Sequence, residues 1–229
     1  MTTNIEDLRK EYESFAYIVS HDLNAPLRHV KQFSELLMKE RKDTATSDEL
    51  VYMNFLHKAL NDLENMQSAL LTFSRISTKA GPILTFDCQP MVQHISETVK
   101  LNYVDSKPVI HLETLPKITG DQDKLASVFY NIIDNALKFN TSTPKECRIS
   151  CEEREKDFLF KIEDNGIGIP EGHHTDVFQM FRRLNTSDTY PGTGAGLAFT
   201  KKIIEIHNGE VSISSVPDQG TVVQFTLPK

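Results

Sequence analysis

Apolar residues in the first part of the chain recur at three- and four-residue spacing. From Ile5 the series runs through Leu8, Tyr12, Phe15, Val19, Leu23, Pro26, Val30, Phe33 and Leu37. At about 100° per residue these positions fall near one line, as on a long amphipathic helix. Pro26 lies inside the stripe and predicts a kink. The polar run from Arg41 to Ser47 breaks the pattern. A second stripe follows, with Leu50, Met53, Leu56, Leu60, Leu63 and Leu70. Ser47, with Asp48 and Glu49 behind it, marks the expected helix start, and Gly81-Pro82 the stop. Two such helices on a short loop make a hairpin that covers one side of each stripe. Two hairpins cover both sides, so the pattern predicts a homodimer through residues 1–80, closed as a four-helix bundle.

After Pro82 the periodicity becomes mixed. Strands are expected at 83–86, 109–112, 147–151, 158–162, 210–214 and 221–227, and helices at 90–104, 122–139 and 195–207. The expected class is α+β, with the hairpin domain over 1–80 and a two-layer α/β sandwich over 81–229.

Composition narrows the function. A net charge of −7 over 229 residues argues against a nucleic-acid partner. Cys88, Cys147 and Cys151 have no zinc-like spacing and read as free thiols in a reducing compartment. No apolar run is long enough to span a bilayer, so a soluble, cytoplasmic segment without membrane contact is expected.

Four clusters carry candidate chemistry. In Ser20-His21-Asp22-Leu23 the histidine lies roughly 160° from the centre of the apolar stripe. A neutral imidazole there can attack phosphorus while Asp22 orients the ring. An ordinary surface histidine beside a surface acid fits the same residues. In Asn131-Ile-Ile-Asp-Asn135-Ala-Leu-Lys138-Phe139 the two asparagines and the lysine share a helix face. Amide oxygens suit a hydrated magnesium ion, and Lys138 suits a phosphate, although a plain polar face would look alike. Asp164-Asn165-Gly166-Ile167-Gly168 places a carboxylate where a strand ends, able to accept from an exocyclic amine, before glycines that admit a flat ring; a tight turn is the alternative. Gly192-Thr193-Gly194-Ala195-Gly196-Leu197 opens a helix and exposes amides suited to phosphate, but matches neither the P-loop nor the dinucleotide fingerprint. Between the last two, Val177–Leu184 and the polar run to Pro191 read as a lid or as a surface loop.

In order and spacing these clusters resemble the histidine, asparagine, glycine and phenylalanine boxes of two-component sensor histidine kinases. The resemblance spans about Tyr12 to Pro228, and His-Asp-Leu-Asn-Ala-Pro-Leu-Arg is most similar to the phytochrome-like subgroup. It implies His21 as phosphoacceptor, Asp22 as its acid/base neighbour and Asn131 as a magnesium ligand, with Asn135 and Lys138 near the phosphates of ATP. It implies Asp164 on the adenine amine, Gly166 and Gly168 flanking the ring, Arg183 reaching the γ-phosphate, and Gly192, Gly194, Gly196 and Leu197 closing on the phosphates. Phe139 stands where many relatives have tyrosine. The implied partner is the receiver domain of a response regulator. Related ATPases carry a water-activating Glu where this chain has Asn131, and an amide cannot act as a base. A nucleotide-binding phosphorelay protein or a pseudokinase without autokinase activity is the alternative reading.

Overall fold

The computed structural model describes residues 2–41, 43–79, 81–184 and 190–229, with the side chains of 2–17 and 19–21 left aside. The chain divides into two compact units, Met1–Thr78 and Lys79–Lys229.

The first unit is a helical hairpin, α1 over Thr2–Arg41 and α2 over Ser47–Thr78. α1 runs as one helix through Pro26. Thr46 caps α2 in a reciprocal box. Its hydroxyl accepts from the Glu49 N–H at 3.3 Å, and Glu49 Oε2 accepts from the Thr46 N–H at 2.8 Å. The helix therefore begins at the expected Ser47, with Thr46 as its cap. Lys31 on α1 pairs with Glu64 on α2 at 2.6 Å. Leu60 is buried, whereas Leu23, Val30, Phe33 and Leu37 all stay exposed within the single chain. No described helix is long and apolar enough to cross a membrane.

The second unit is a five-stranded mixed sheet with helices on one face. The strands are β2 (Val109–Leu112), β4 (Glu146–Glu153), β5 (Asp157–Asp164), β6 (Val211–Val216) and β7 (Gly220–Pro228), ordered β2-β4-β5-β7-β6. β2 pairs in parallel with β4, and the other neighbours are antiparallel. Alternation sends Cys147, Ile149, Phe160, Ile162, Val223 and Phe225 inward, while Arg148, Lys161 and Gln224 face the other way. α3 (Cys88–Leu101), α4 (Gln122–Lys138) and α5 (Gly196–Ile206) supply the helical layer. α4 buries Leu125, Val128, Phe129, Ile132, Ile133, Ala136 and Leu137, a three-four stripe. Phe129 meets Phe160 and Phe225 edge-on at 5.5 Å, and those two rings stack at 5.1 Å.

Some boundaries differ from expectation. β3 (Lys117–Asp121) was absent from the expected strands; it pairs with β1 (Ile83–Asp87) in a separate two-stranded ribbon. The helix expected over 90–104 begins at Cys88, because Asp87 caps it by accepting from the Gln89 N–H. It ends at Leu101, and Val104–Ser106 forms a separate 3-10 turn.

Candidate functional site

The C-terminal half of α4, the end of β5, the loop after it and the start of α5 enclose a cleft of about 570 Å³, within the usual range of small-ligand sites. Its walls include Asn131, Asn135, Lys138, Phe139, Asp164, Gly168, Arg183, Gly192, Gly194, Gly196 and Leu197. Segments from Asn131 to Val223, 92 positions apart, thus converge on one space. Gly166 lies just behind the wall. A Cβ there would strike the Phe139 carbonyl, so the residue must be glycine for the loop to pack against the end of α4. That carbonyl also accepts the Ile167 N–H at 3.0 Å.

Asp164 is half-buried at the end of β5. Its Oδ1 accepts the Gly166 N–H at 2.8 Å and the Thr221 N–H at 3.2 Å. Burial pushes its carboxyl up to about 6, and the two N–H donors hold it from rising further. Both protein donors go to Oδ1, which leaves Oδ2 able to accept from a ligand. Ile167, Ile169, Ile213 and Val223 supply apolar wall at this end.

At the other end, burial lowers the Lys138 ammonium, the Asp134 carboxylate raises it and the Arg183 charge lowers it. Gly192 lies against the Lys138 ammonium. Arg183 donates to the Tyr190 carbonyl, and the Tyr190 ring tilts against Phe139 with centroids 4.9 Å apart. Arg182 pairs with Asp176 at 3.2 Å. Asn131 Oδ1 faces Gly196, where a Cβ would sit 3.3 Å away. The cleft therefore has an apolar end with a carboxylate acceptor and a cationic end beside a helix start, an arrangement able to hold a base and a phosphate chain.

His21 and Asp22 lie on α1, in the other unit. Asp22 is exposed, and the His21 side chain lies outside the described residues. Tyr190, Asp134 and Thr221 line the cleft without having been read from the sequence. A loop tyrosine and a strand threonine carry no motif, and Asp134, although inside the 131–139 cluster, reads from sequence as one more polar residue of a helix face.

Residues 120–229 match the family of histidine kinase-, DNA gyrase B- and HSP90-like ATPases, HATPase_c, and form a domain of that class. Along its whole length the chain is homologous to histidine kinases. It is 31% identical over 228 residues to the phytochrome-like protein Cph1 of Synechocystis, a match covering 100% of this chain and 30% of Cph1. It is 30% identical over 236 residues to the sensor protein kinase WalK of Staphylococcus aureus, covering 99% of this chain and 56% of that one. The chain thus spans about a third to a half of the length of these relatives. Full-length ShkA, solved with AMPPNP, shares the fold at a TM-score of 0.68 and 21% identity, over 94% of this chain and 45% of ShkA. ThkA, solved with the response regulator TrrA, does so at 0.66 and 19%, over 100% of this chain and 66% of the other.

Proposed function

We propose that this chain is the catalytic core of a sensor histidine kinase, which phosphorylates His21 from ATP and passes the phosphoryl group to an aspartate on a response regulator's receiver domain. The observation that carries this reading is the cleft, with an amine acceptor at Asp164, cations at Lys138 and Arg183, and an amide where hydrolytic relatives need a base. In the proposed step an imidazole nitrogen of His21 forms the P–N bond as the bond from the γ-phosphorus to the ADP oxygen breaks. Asp22 takes up the ring proton. Asn131 cannot activate water, which favours transfer over hydrolysis. The AMPPNP in the ShkA structure and the regulator beside ThkA support the choice of nucleotide and partner.

Magnesium fits this site as a companion of the phosphates. Among the described residues no group of three or more His, Cys, Asp or Glu could hold a metal. A magnesium ion that keeps several waters and binds phosphates needs few protein ligands. Asn131 Oδ1 would be one, and the ion would neutralise phosphate charge. The exposed stripe on α1 supports a homodimer through residues 1–80.

The test is transfer of label from γ-labelled ATP and magnesium. The expected result is acid-labile label on the wild type and none on His21→Gln, with ATP binding intact in both. Undiminished label in the variant would overturn the assignment of His21.

A further inference from the structure

Asp134 is a cleft residue with no role in the reading above. It lies on α4 three residues after Asn131 and four before Lys138, so it shares their side of the helix, and it lines the same cleft. Among the described residues, Asp134 and Asp164 are the carboxylates on that wall. Asp164 lies at the apolar end. Asp134 lies at the cationic end, where its charge acts on Lys138.

The Asp134 carboxylate is held from outside the cleft. The Tyr103 hydroxyl, beyond the end of α3, donates to Asp134 Oδ1 at 3.0 Å. Burial, and then the Asp134 charge, keep that hydroxyl protonated far above the ordinary tyrosine range, so Tyr103 is a permanent donor. Its ring is fixed in turn, since the Lys145 ammonium lies 5.2 Å from the ring centroid and donates to the Leu137 carbonyl at 2.8 Å. With Oδ1 engaged by Tyr103, Oδ2 remains able to accept from a group in the cleft.

We propose that Asp134, oriented by Tyr103, is a positioning residue for the hydrated magnesium that accompanies the nucleotide, accepting a hydrogen bond from metal-bound water rather than contacting nucleotide directly. The proposal rests on the reading of the cleft as a magnesium–ATP site. Asn131 is a neutral ligand. A divalent ion beside it gains from a nearby carboxylate, whereas a metal-free triphosphate is repelled by the same charge. The two situations therefore respond to Asp134 with opposite sign.

Calorimetric titration of the full chain with ATP, in EDTA and across a magnesium series, separates them. Asp134→Asn is expected to raise the magnesium concentration needed for half-maximal tightening by about 10-fold, in the range typical of residues that orient metal ligands. In EDTA it should bind ATP as tightly as the wild type or more tightly. Tyr103→Phe keeps the ring over Lys145 and removes only the donor. It should shift the magnesium requirement in the same direction by less, and add nothing in an Asp134→Asn background. An unchanged magnesium requirement in Asp134→Asn, with wild-type ATP binding intact, overturns the proposal alone. So does weaker ATP binding in EDTA, which would make Asp134 a support for Lys138. A wild type that fails to bind ATP at all would overturn the nucleotide reading too.

Discussion

The two units bury their apolar residues to very different degrees. In the sandwich, Phe129, Phe160 and Phe225 are fully buried, and sheet and helices close on one another. In the hairpin, Phe33, Tyr52 and Phe55 remain 66%, 69% and 66% exposed, and among the described residues Leu60 and Ile76 are the large apolar side chains that are buried. Apolar surface of that size left open is an interaction surface rather than a folded core. The contrast teaches that the sandwich completes its core from its own residues, whereas the hairpin needs a second surface, as the proposed dimer provides.

Removing a ring from the closed core has the largest expected effect. Phe160→Ala takes away both the stacked and the edge-on contact and should destabilise the sandwich by about 3–5 kcal/mol. Chemical denaturation followed by hydrogen exchange should show the sandwich amides losing protection at any protein concentration. A loss below about 1 kcal/mol would show that this core is not close-packed.

The hairpin should answer to concentration instead. Burying a phenylalanine at an interface contributes about 1.5–3 kcal/mol, so Phe33→Ser should shift the equilibrium towards monomer by roughly 10-fold or more. Protection of the hairpin amides should fall on dilution, while that of the sandwich does not. Hairpin protection independent of concentration, or light scattering that finds the wild type monomeric, would break the comparison.

Within the sandwich, Asp164 should make ligand binding and stability respond to pH in opposite directions. Its carboxyl is raised from 3.8 to about 6 in the fold. Folding therefore favours the protonated form. The associated stability is fully present below about 3.8 and is lost as pH rises through about 6. The proposed adenine recognition runs the other way, because it is strongest with the ionised acceptor. Adenosine affinity should be flat above pH 7 and fall by up to about tenfold per unit below 6. Adenosine is the better probe, since phosphate groups themselves titrate near 6. Asp164→Asn should flatten both profiles, and an unchanged profile in that variant would reassign the titration.

What the sequence revealed follows the range of each interaction. The α4 stripe, the strands of the main sheet and the order of the cleft residues are periodic or clustered, so Asn131, Asn135 and Lys138 could be placed on one face from spacing alone. β3 escaped because Lys117-Ile-Thr-Gly-Asp121 is short and contains a glycine and a helix cap. Its pairing partner, β1, lies 30 to 38 positions away in register. The Tyr190–Phe139 contact and the Tyr103–Asp134 bond are likewise long-range pairings that leave no local pattern. The hairpin was legible as a stripe, but what covers the stripe is not encoded in the stripe itself.

The smallest expected effect is the sharpest test, because it applies one substitution to both units. Ser34 on α1 and Ser96 on α3 are both buried, at 4% and 5% exposure. Ser96 Oγ donates to the Val92 carbonyl at 2.8 Å, whereas Ser34 Oγ finds no hydrogen-bond partner. Changing either to alanine brings the same gain in helix propensity, about 0.5 kcal/mol. At Ser96 that gain is offset by a lost hydrogen bond of about 1 kcal/mol. At Ser34 there is no bond to lose, and removal of a buried unpaired hydroxyl adds to the gain. Ser34→Ala should therefore stabilise the hairpin and Ser96→Ala should slightly weaken the sandwich, with about 1–2 kcal/mol between them. Denaturation of the two variants, read by exchange in each unit, measures that difference. Equal effects would mean that the Ser34 hydroxyl is hydrogen-bonded within the hairpin, and its burial would then carry no penalty.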